Sequence, residues 1–284
     1  MTLMRIWILS CLLLLMPTLA QAVCYGNQAR AETPLTFSPV PQLPVPTLFA
    51  RWVPVLDAIG KSAGQCFELV IKPSIPEFEK YLLQGSPTLA YANPYHAVMA
   101  HKAAGYKPII ADGSTLLTGI LTVKRDSDIR NLSDLENQRV AFPAPNAFAA
   151  SLLLRAHLQQ LKINIKPQYV KTHSNVYRSV IIGDAAAGGG VNKTLENEPE
   201  DIQQKLRVLY ESPGYRSHPV VVSPKLSSEL RERLQQSFIT LAKIEEGRKL
   251  LAGVQLNDPI IVTYQKDYAP LEKMGLEKLV TQDE

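Results

Sequence analysis

The chain has 284 residues, 46% of them hydrophobic and 20% charged, with a formal net charge of +4 at pH 7. That length suits one large or two medium domains with a substantial core. Lysine and arginine are scattered among acids with no basic run, which argues against nucleic acid as a partner; the mild positive balance is compatible with an anionic ligand.

The first residues read as an export signal. Arg5 supplies the positive start, residues 6–16 are apolar except Ser10 and Cys11, Pro17 breaks the run, and Ala20-Gln21-Ala22 is a cleavage site. The run is too short for a hydrocarbon core of about 30 Å, which takes roughly 20 residues. Residues 1–22 are therefore expected to be removed, leaving an exported, periplasmic protein. Cys24 and Cys66 remain. In an oxidising compartment they invite a disulfide; the alternative is one buried cysteine and one on a frayed end, because residues 23–34 read as a polar, mobile lead-in.

In chain order, residues 35–39 form a short strand, followed by a rigid loop containing Pro39, Pro41, Pro44 and Pro46. Leu48, Phe49, Trp52, Val53, Leu56 and Ile59 recur at helical spacing, with Pro54 as a kink. Residues 66–71 are a strand, and Ser74 with Glu77 caps the next helix. Residues 88–91 are a strand ending at Asn93 and Pro94, where a helix begins, and 107–111 is again strand-like. Residues 117–123 and 139–142 are strands around a short helix at 133–135. The segment Pro143-Ala144-Pro145-Asn146 is a breaker loop, and 147–160 is a helix. Residues 168–171, 207–211 and 219–223 are strands, 175–183 and 227–242 are helices, and 185–191 is small and glycine-rich. Strands alternating with helices predict α/β layers rich in parallel pairing.

The chain resembles the phosphate/phosphite/phosphonate-type solute-binding proteins of bacterial ABC importers. The resemblance rests on Thr122-Val123-Lys124-Arg125-Asp126-Ser127, Leu132-Ser133-Asp134-Leu135 and Arg139-Val140-Ala141-Phe142-Pro143. Further matches are Ala90-Tyr91-Ala92-Asn93-Pro94-Tyr95-His96, Thr172-His173-Ser174, Glu211-Ser212-Pro213 with His218-Pro219-Val220-Val221, Glu246-Gly247-Arg248-Lys249-Leu250-Leu251 and Tyr268-Ala269-Pro270-Leu271. Their order and spacing, over residues 35–279, carry the likeness. It implies a class II periplasmic-binding-protein fold: two α/β lobes joined by a two-strand hinge that closes on a small ligand. Lobe 1 would comprise residues 35–115 and 219–284, and lobe 2 residues 116–218. It further implies no catalysis and no cofactor. The expected partners are a small oxyanion and a membrane ABC permease, or alternatively a membrane sensor kinase or cyclase.

Ligands in such folds lie where strands end, in the cleft. Tyr91, Asn93, Tyr95 and His96 offer donors and flat faces at one strand end, although Asn93 equally reads as a plain helix cap. Asn146, Phe148, Ala149 and Ser151 sit where a strand turns into a helix and frees backbone N–H groups for an anion. Phosphonate-type relatives carry a run of serine and threonine here; Ala147-Phe148-Ala149-Ala150 has lost those hydroxyls. His173 matches a family histidine near the cleft, although alone it reads as structural. Relatives that bind aminophosphonates place an acid in the hinge strand; after Asp184 this chain has only Asn192. That argues against an aminoalkylphosphonate ligand. Gln42 is a weaker candidate. No zincin spacing, serine-nucleophile elbow or CxxC is present. A metal site from Tyr95, His96 and His173 is the remaining minor alternative.

Overall fold

The computed structural model describes residues 24–281. The export signal expected over residues 1–22 lies outside them. Two mixed sheets organise the chain. The first contains β1 (Tyr25–Gly26), β2 (Leu35–Pro39), β3 (Cys66–Leu69), β4 (Leu89–Tyr91), β5 (Lys107–Asp112), β11 (Pro219–Val222) and β12 (Pro259–Ile261), in the order β1-β3-β2-β4-β11-β5-β12. The second contains β6 (Gly119–Lys124), β7 (Arg139–Phe142), β8 (Lys166–Tyr169), β9 (Ala187–Val191) and β10 (Leu206–Glu211), in the order β10-β6-β9-β7-β8.

Parallel pairing is confined to β3-β2-β4 and β8-β7-β9. The remaining pairs are antiparallel, and the chain crosses between the sheets twice, in opposite directions. β5 pairs with β11 in the first sheet and β6 with β10 in the second. Between them Leu117 and Tyr215 exchange two backbone hydrogen bonds, at 2.8 and 3.0 Å. The hinge is thus one interrupted antiparallel ribbon linking two α/β lobes.

Helices cover the sheets: α1 (Val45–Ala63), α2 (Ile75–Leu83) and α3 (Pro94–Ala104), then α4 (Leu153–Gln160), α5 (His173–Ile182), α6 (Asn192–Glu196), α7 (Glu200–Gln203), α8 (Ser228–Leu241) and α9 (Glu245–Gly253). α1 shows how sequence sets the packing. Leu48, Trp52, Val55, Leu56, Ile59 and Ala63 form its buried stripe, and Gly64, at φ 66°, ends it by donating to the Gly60 carbonyl. Pro54 is tolerated on the solvent side. Phe49, expected in the stripe, is 43% exposed and makes an edge-on ring contact with Tyr25. Trp52 is packed between Phe37 and Tyr91, with ring centroids at 4.6 and 5.1 Å.

The expected mobile lead-in is instead pinned from residue 24 onward. Cys24 is bonded to Cys66, β1 pairs with β3, and Asn27 N–H donates to the Gln65 carbonyl at 2.8 Å. The disulfide replaces the alternative of a frayed thiol. Among the described residues no helix is long and apolar enough to cross a membrane.

Candidate ligand-binding cleft

β7 ends at Phe142, and the following prolines exclude continuation of the ladder. The chain then enters a π-helical turn, Phe148–Leu152, which leads into α4. Ser151 and Leu152 N–H both donate to the Ala147 carbonyl, at 2.9 and 3.0 Å. The N–H groups of Phe148, Ala149 and Ala150 find no acceptor among the described residues. All three residues line a cavity of about 40 Å³ between the lobes. A water needs about 10–15 Å³ on this measure, so the closed cleft has room for a few waters or a small head group.

Two glycines bring this turn onto the sheet. A methyl group at Gly119 would collide with the Ala149 carbonyl, and one at Gly189 with the Ala150 carbonyl and the Phe142 ring. Gly119 on β6 and Gly189 on β9 therefore let the turn pack closely against the sheet. Arg155 braces the turn from behind. Its guanidinium donates to Ser151 Oγ at 3.1 Å, the Pro145 carbonyl at 2.6 Å and the Leu279 carbonyl at 3.1 Å.

The opposite wall comes from lobe 1 and the hinge. Asn93 both caps and bridges: its Oδ1 accepts from His96 N–H at 2.7 Å, and its Nδ2 donates across the cleft to the Asn146 carbonyl at 3.2 Å. Gln42, Val40 and His218 also line the cavity, with Lys171 and His173 from lobe 2. His218 stacks on Tyr91 with centroids 5.5 Å apart. Burial, then the nearby His96 and His173, pushes the His218 pKa down to about 3. Burial alone takes His173 down to about 4. Both rings are neutral at pH 7, each with one N–H to donate. His173 Nδ1 lies 3.4 Å from Thr194 Oγ1, a weak contact that leaves the ring available.

Of the residues expected at the site, Asn93, Phe148, Ala149 and His173 share the cavity wall. Tyr91 lies one layer back under His218, and burial followed by the charge of Asp112 raises its phenol pKa, keeping it neutral. Tyr95 turns away toward the C-terminal segment; burial, Glu277 and Glu272 push its pKa up to about 12. His96 and Asn146 are sequestered by Glu79. The Glu79 carboxylate meets His96 Nε2 at 2.7 Å and accepts from Asn146 Nδ2 at 2.8 Å. The hydroxyl of Ser151 is buried against Arg155, away from the cavity wall. Asn192 starts α6, and its Oδ1 accepts from Lys193 N–H at 2.9 Å.

Sequence reasoning missed Lys171, His218, Glu79 and Arg155. His218 lay inside a recognised motif but was read only as part of the return crossing. The others belong to helices or a strand end whose cleft-facing side depends on how the two lobes meet. Among the described residues, no three His, Cys, Asp or Glu side chains converge to hold a metal.

The family model described as "ABC transporter, phosphonate, periplasmic substrate-binding protein" matches residues 37–268. No curated protein sequence matches closely enough to count as a relative. Among solved structures, a binding protein component of an ABC phosphonate transporter from Pseudomonas aeruginosa is 17% identical, covers 86% of each chain and superposes with a TM-score of 0.75. PhnD1 from Prochlorococcus marinus, solved in complex with methylphosphonate, is 16% identical, covering 86% of this chain and 97% of its own, with a TM-score of 0.76. An ancestral arginine-binding protein bound to arginine is more distant, at 15% identity, 77% and 96% coverage and a TM-score of 0.54. These likenesses speak for the shared two-lobe fold, whereas the family model spans most of the chain's length. The chain belongs to the family of periplasmic substrate-binding proteins of phosphonate ABC transporters.

Proposed function

We propose that the inter-lobe cavity captures the head group of a small phosphonate- or phosphite-type oxyanion in the periplasm and that the closed protein delivers it to a membrane ABC permease. The observation that carries this reading is the set of three residues, Phe148, Ala149 and Ala150, that line one small cavity at the start of a helix and whose N–H groups are unpaired among the described residues. Fixed amide donors at a positive helix end stabilise an anion without any side-chain hydroxyl. This offsets the loss of the serine and threonine run. Asn93, His173 and His218 complete the donor set from the other sides, and Phe148 excludes water from the head group.

Closure follows from the same contacts. A ligand that touches the turn on lobe 2 and Asn93 or His218 on the other side binds the shut form better than the open one, and so shifts the population toward it. The cavity's small size favours a head group with a hydrogen or short alkyl substituent. The test is calorimetric titration of the mature protein with methylphosphonate, phosphite, phosphate and sulfate at neutral pH. The reading predicts one-to-one binding of at least one phosphorus oxyanion, with weaker binding of sulfate. No heat with any of them would contradict it.

A further inference from the structure

β8 ends at Tyr169, and the chain then makes one very tight turn before α5. Thr172 N–H donates to the Val170 carbonyl at 3.0 Å, and the residue between them, Lys171, has φ 75°. This is a three-residue turn of the rare positive-φ kind, strained for any side chain other than glycine. Three neighbouring contacts hold it. Val170 N–H donates to the Phe142 carbonyl at 2.9 Å, Asn175 Nδ2 donates to the Val170 carbonyl at 2.9 Å, and Thr172 Oγ1 caps Asn175 N–H at 3.2 Å. The conformation is therefore over-determined by the structure around it, the circumstance in which strain persists at functional positions.

The turn places Lys171 on the cavity wall. Among the described residues its ammonium has no hydrogen bond and no ion pair, unlike the lysines at 61, 102, 124, 193, 205 and 249. Among the described residues no aspartate or glutamate lines the cavity. The buried acid Glu79 is occupied by His96 and Asn146. The wall thus combines a free cation, two neutral histidines and three amide donors with no anionic side chain.

We propose that Lys171 is the specificity-determining cation of the cleft. Resting on the oxyanion reading above, its ammonium pairs with the second negative charge of the bound dianion, and the acid-free wall disfavours analogues that carry an ammonium of their own. Amide donors and neutral imidazoles can solvate a single charge. The second charge needs a mobile cation at the mouth, and lysine supplies a compact one on a flexible stem.

The experiment is titration of the wild-type protein, Lys171→Met, Lys171→Gly and Lys171→Arg with methylphosphonate and with 2-aminoethylphosphonate, at low and moderate salt. The expected result is wild-type preference for methylphosphonate. Lys171→Met and Lys171→Gly should each lose about tenfold or more in affinity, as for a charge-assisted hydrogen bond. Glycine keeps the turn, so its loss isolates the charge from the backbone. Lys171→Arg should recover most of the affinity, and the salt dependence should be shallower in the methionine variant. If the wild type binds methylphosphonate and Lys171→Met matches it, the role of Lys171 is overturned while the oxyanion site stands. If 2-aminoethylphosphonate binds as well as methylphosphonate or better, the exclusion of ammonium ligands is overturned. If the wild type binds neither, the oxyanion reading itself fails and takes this inference with it.

Discussion

Glu79 on one lobe accepts a hydrogen bond from the Asn146 side chain on the other, at 2.8 Å, while its second oxygen meets His96 at 2.7 Å. The same Asn146 amide exchanges two bonds with the Thr281 backbone, at 2.8 and 3.1 Å. A carboxylate, an imidazole, a carboxamide and the C-terminal segment are thus joined across the mouth of the cleft. The bonds that Asn146 makes to Glu79 and to Thr281 join the two lobes, whereas the Glu79–His96 contact lies within one lobe.

Asn146→Ala should therefore loosen closure. It leaves one Glu79 oxygen without its donor and removes both bonds to Thr281, while the Asn146 carbonyl that accepts from Asn93 survives. A loss of about 1–3 kcal/mol from the closed form is expected. Ligand affinity should fall by roughly ten- to a hundredfold, and small-angle scattering of the ligand-free variant should report a more open particle.

The hinge-side histidines set a pH response. His173 and His218 have folded pKa values of about 4 and about 3, below the ordinary 6.5. Between pH 6.5 and these values the unfolded chain binds protons that the folded chain does not. Their contribution to stability is therefore present above pH 6.5 and is lost as pH falls through 6.5 toward 4 and then 3. Thermal melts of His218→Asn should show a shallower loss over that window than the wild type; an identical slope would show that the ring is freely hydrated.

Gly189→Ala places a methyl group against the Ala150 carbonyl and the Phe142 ring. The turn that carries the free amides must then lift from the sheet. Overpacking of this kind costs about 1–3 kcal/mol, and binding should fall by more than stability alone explains. Denaturant unfolding and calorimetry on the same sample separate the two effects.

The Cys24–Cys66 bridge closes a loop with a sequence separation of 42 and ties β1 to the sheet. The chain-entropy model gives about 4 kcal/mol for a loop of that length. Cys66→Ser should lower stability by about 2–4 kcal/mol and make it insensitive to reductant, while leaving oxyanion binding intact, because the bridge lies in the first sheet away from the cleft.

How much of this was legible in the sequence depends on the range of the interactions. β2 and β7 were readable to the residue, because an apolar run bounded by prolines leaves little choice of boundary. The start of a helix near Ala147 was readable from its breaker loop, and with it the free amides. The π-helical turn was not, since it depends on the contact of Ala149 and Ala150 with glycines far along the chain. Lys171 looked like a strand residue, because nothing in its identity announces a positive φ; the turn is imposed by Val170, Thr172 and Asn175 together. His96 and Asn146 looked like ligand groups because each sits at a strand end. Glu79, on a different helix, takes both, and only the assembled lobes reveal that competition. β1 was missed because two residues carry no periodicity, and a disulfide partner 42 positions away holds them.

The central claim is that the amides of Phe148, Ala149 and Ala150 hold the oxyanion, and amide NMR of the isotopically labelled mature protein reads them directly. On titration with methylphosphonate or phosphite, the account predicts saturable downfield shifts of these three amide protons at one-to-one stoichiometry, larger than those elsewhere in the lobes. Saturable binding that leaves the three resonances in place would contradict it.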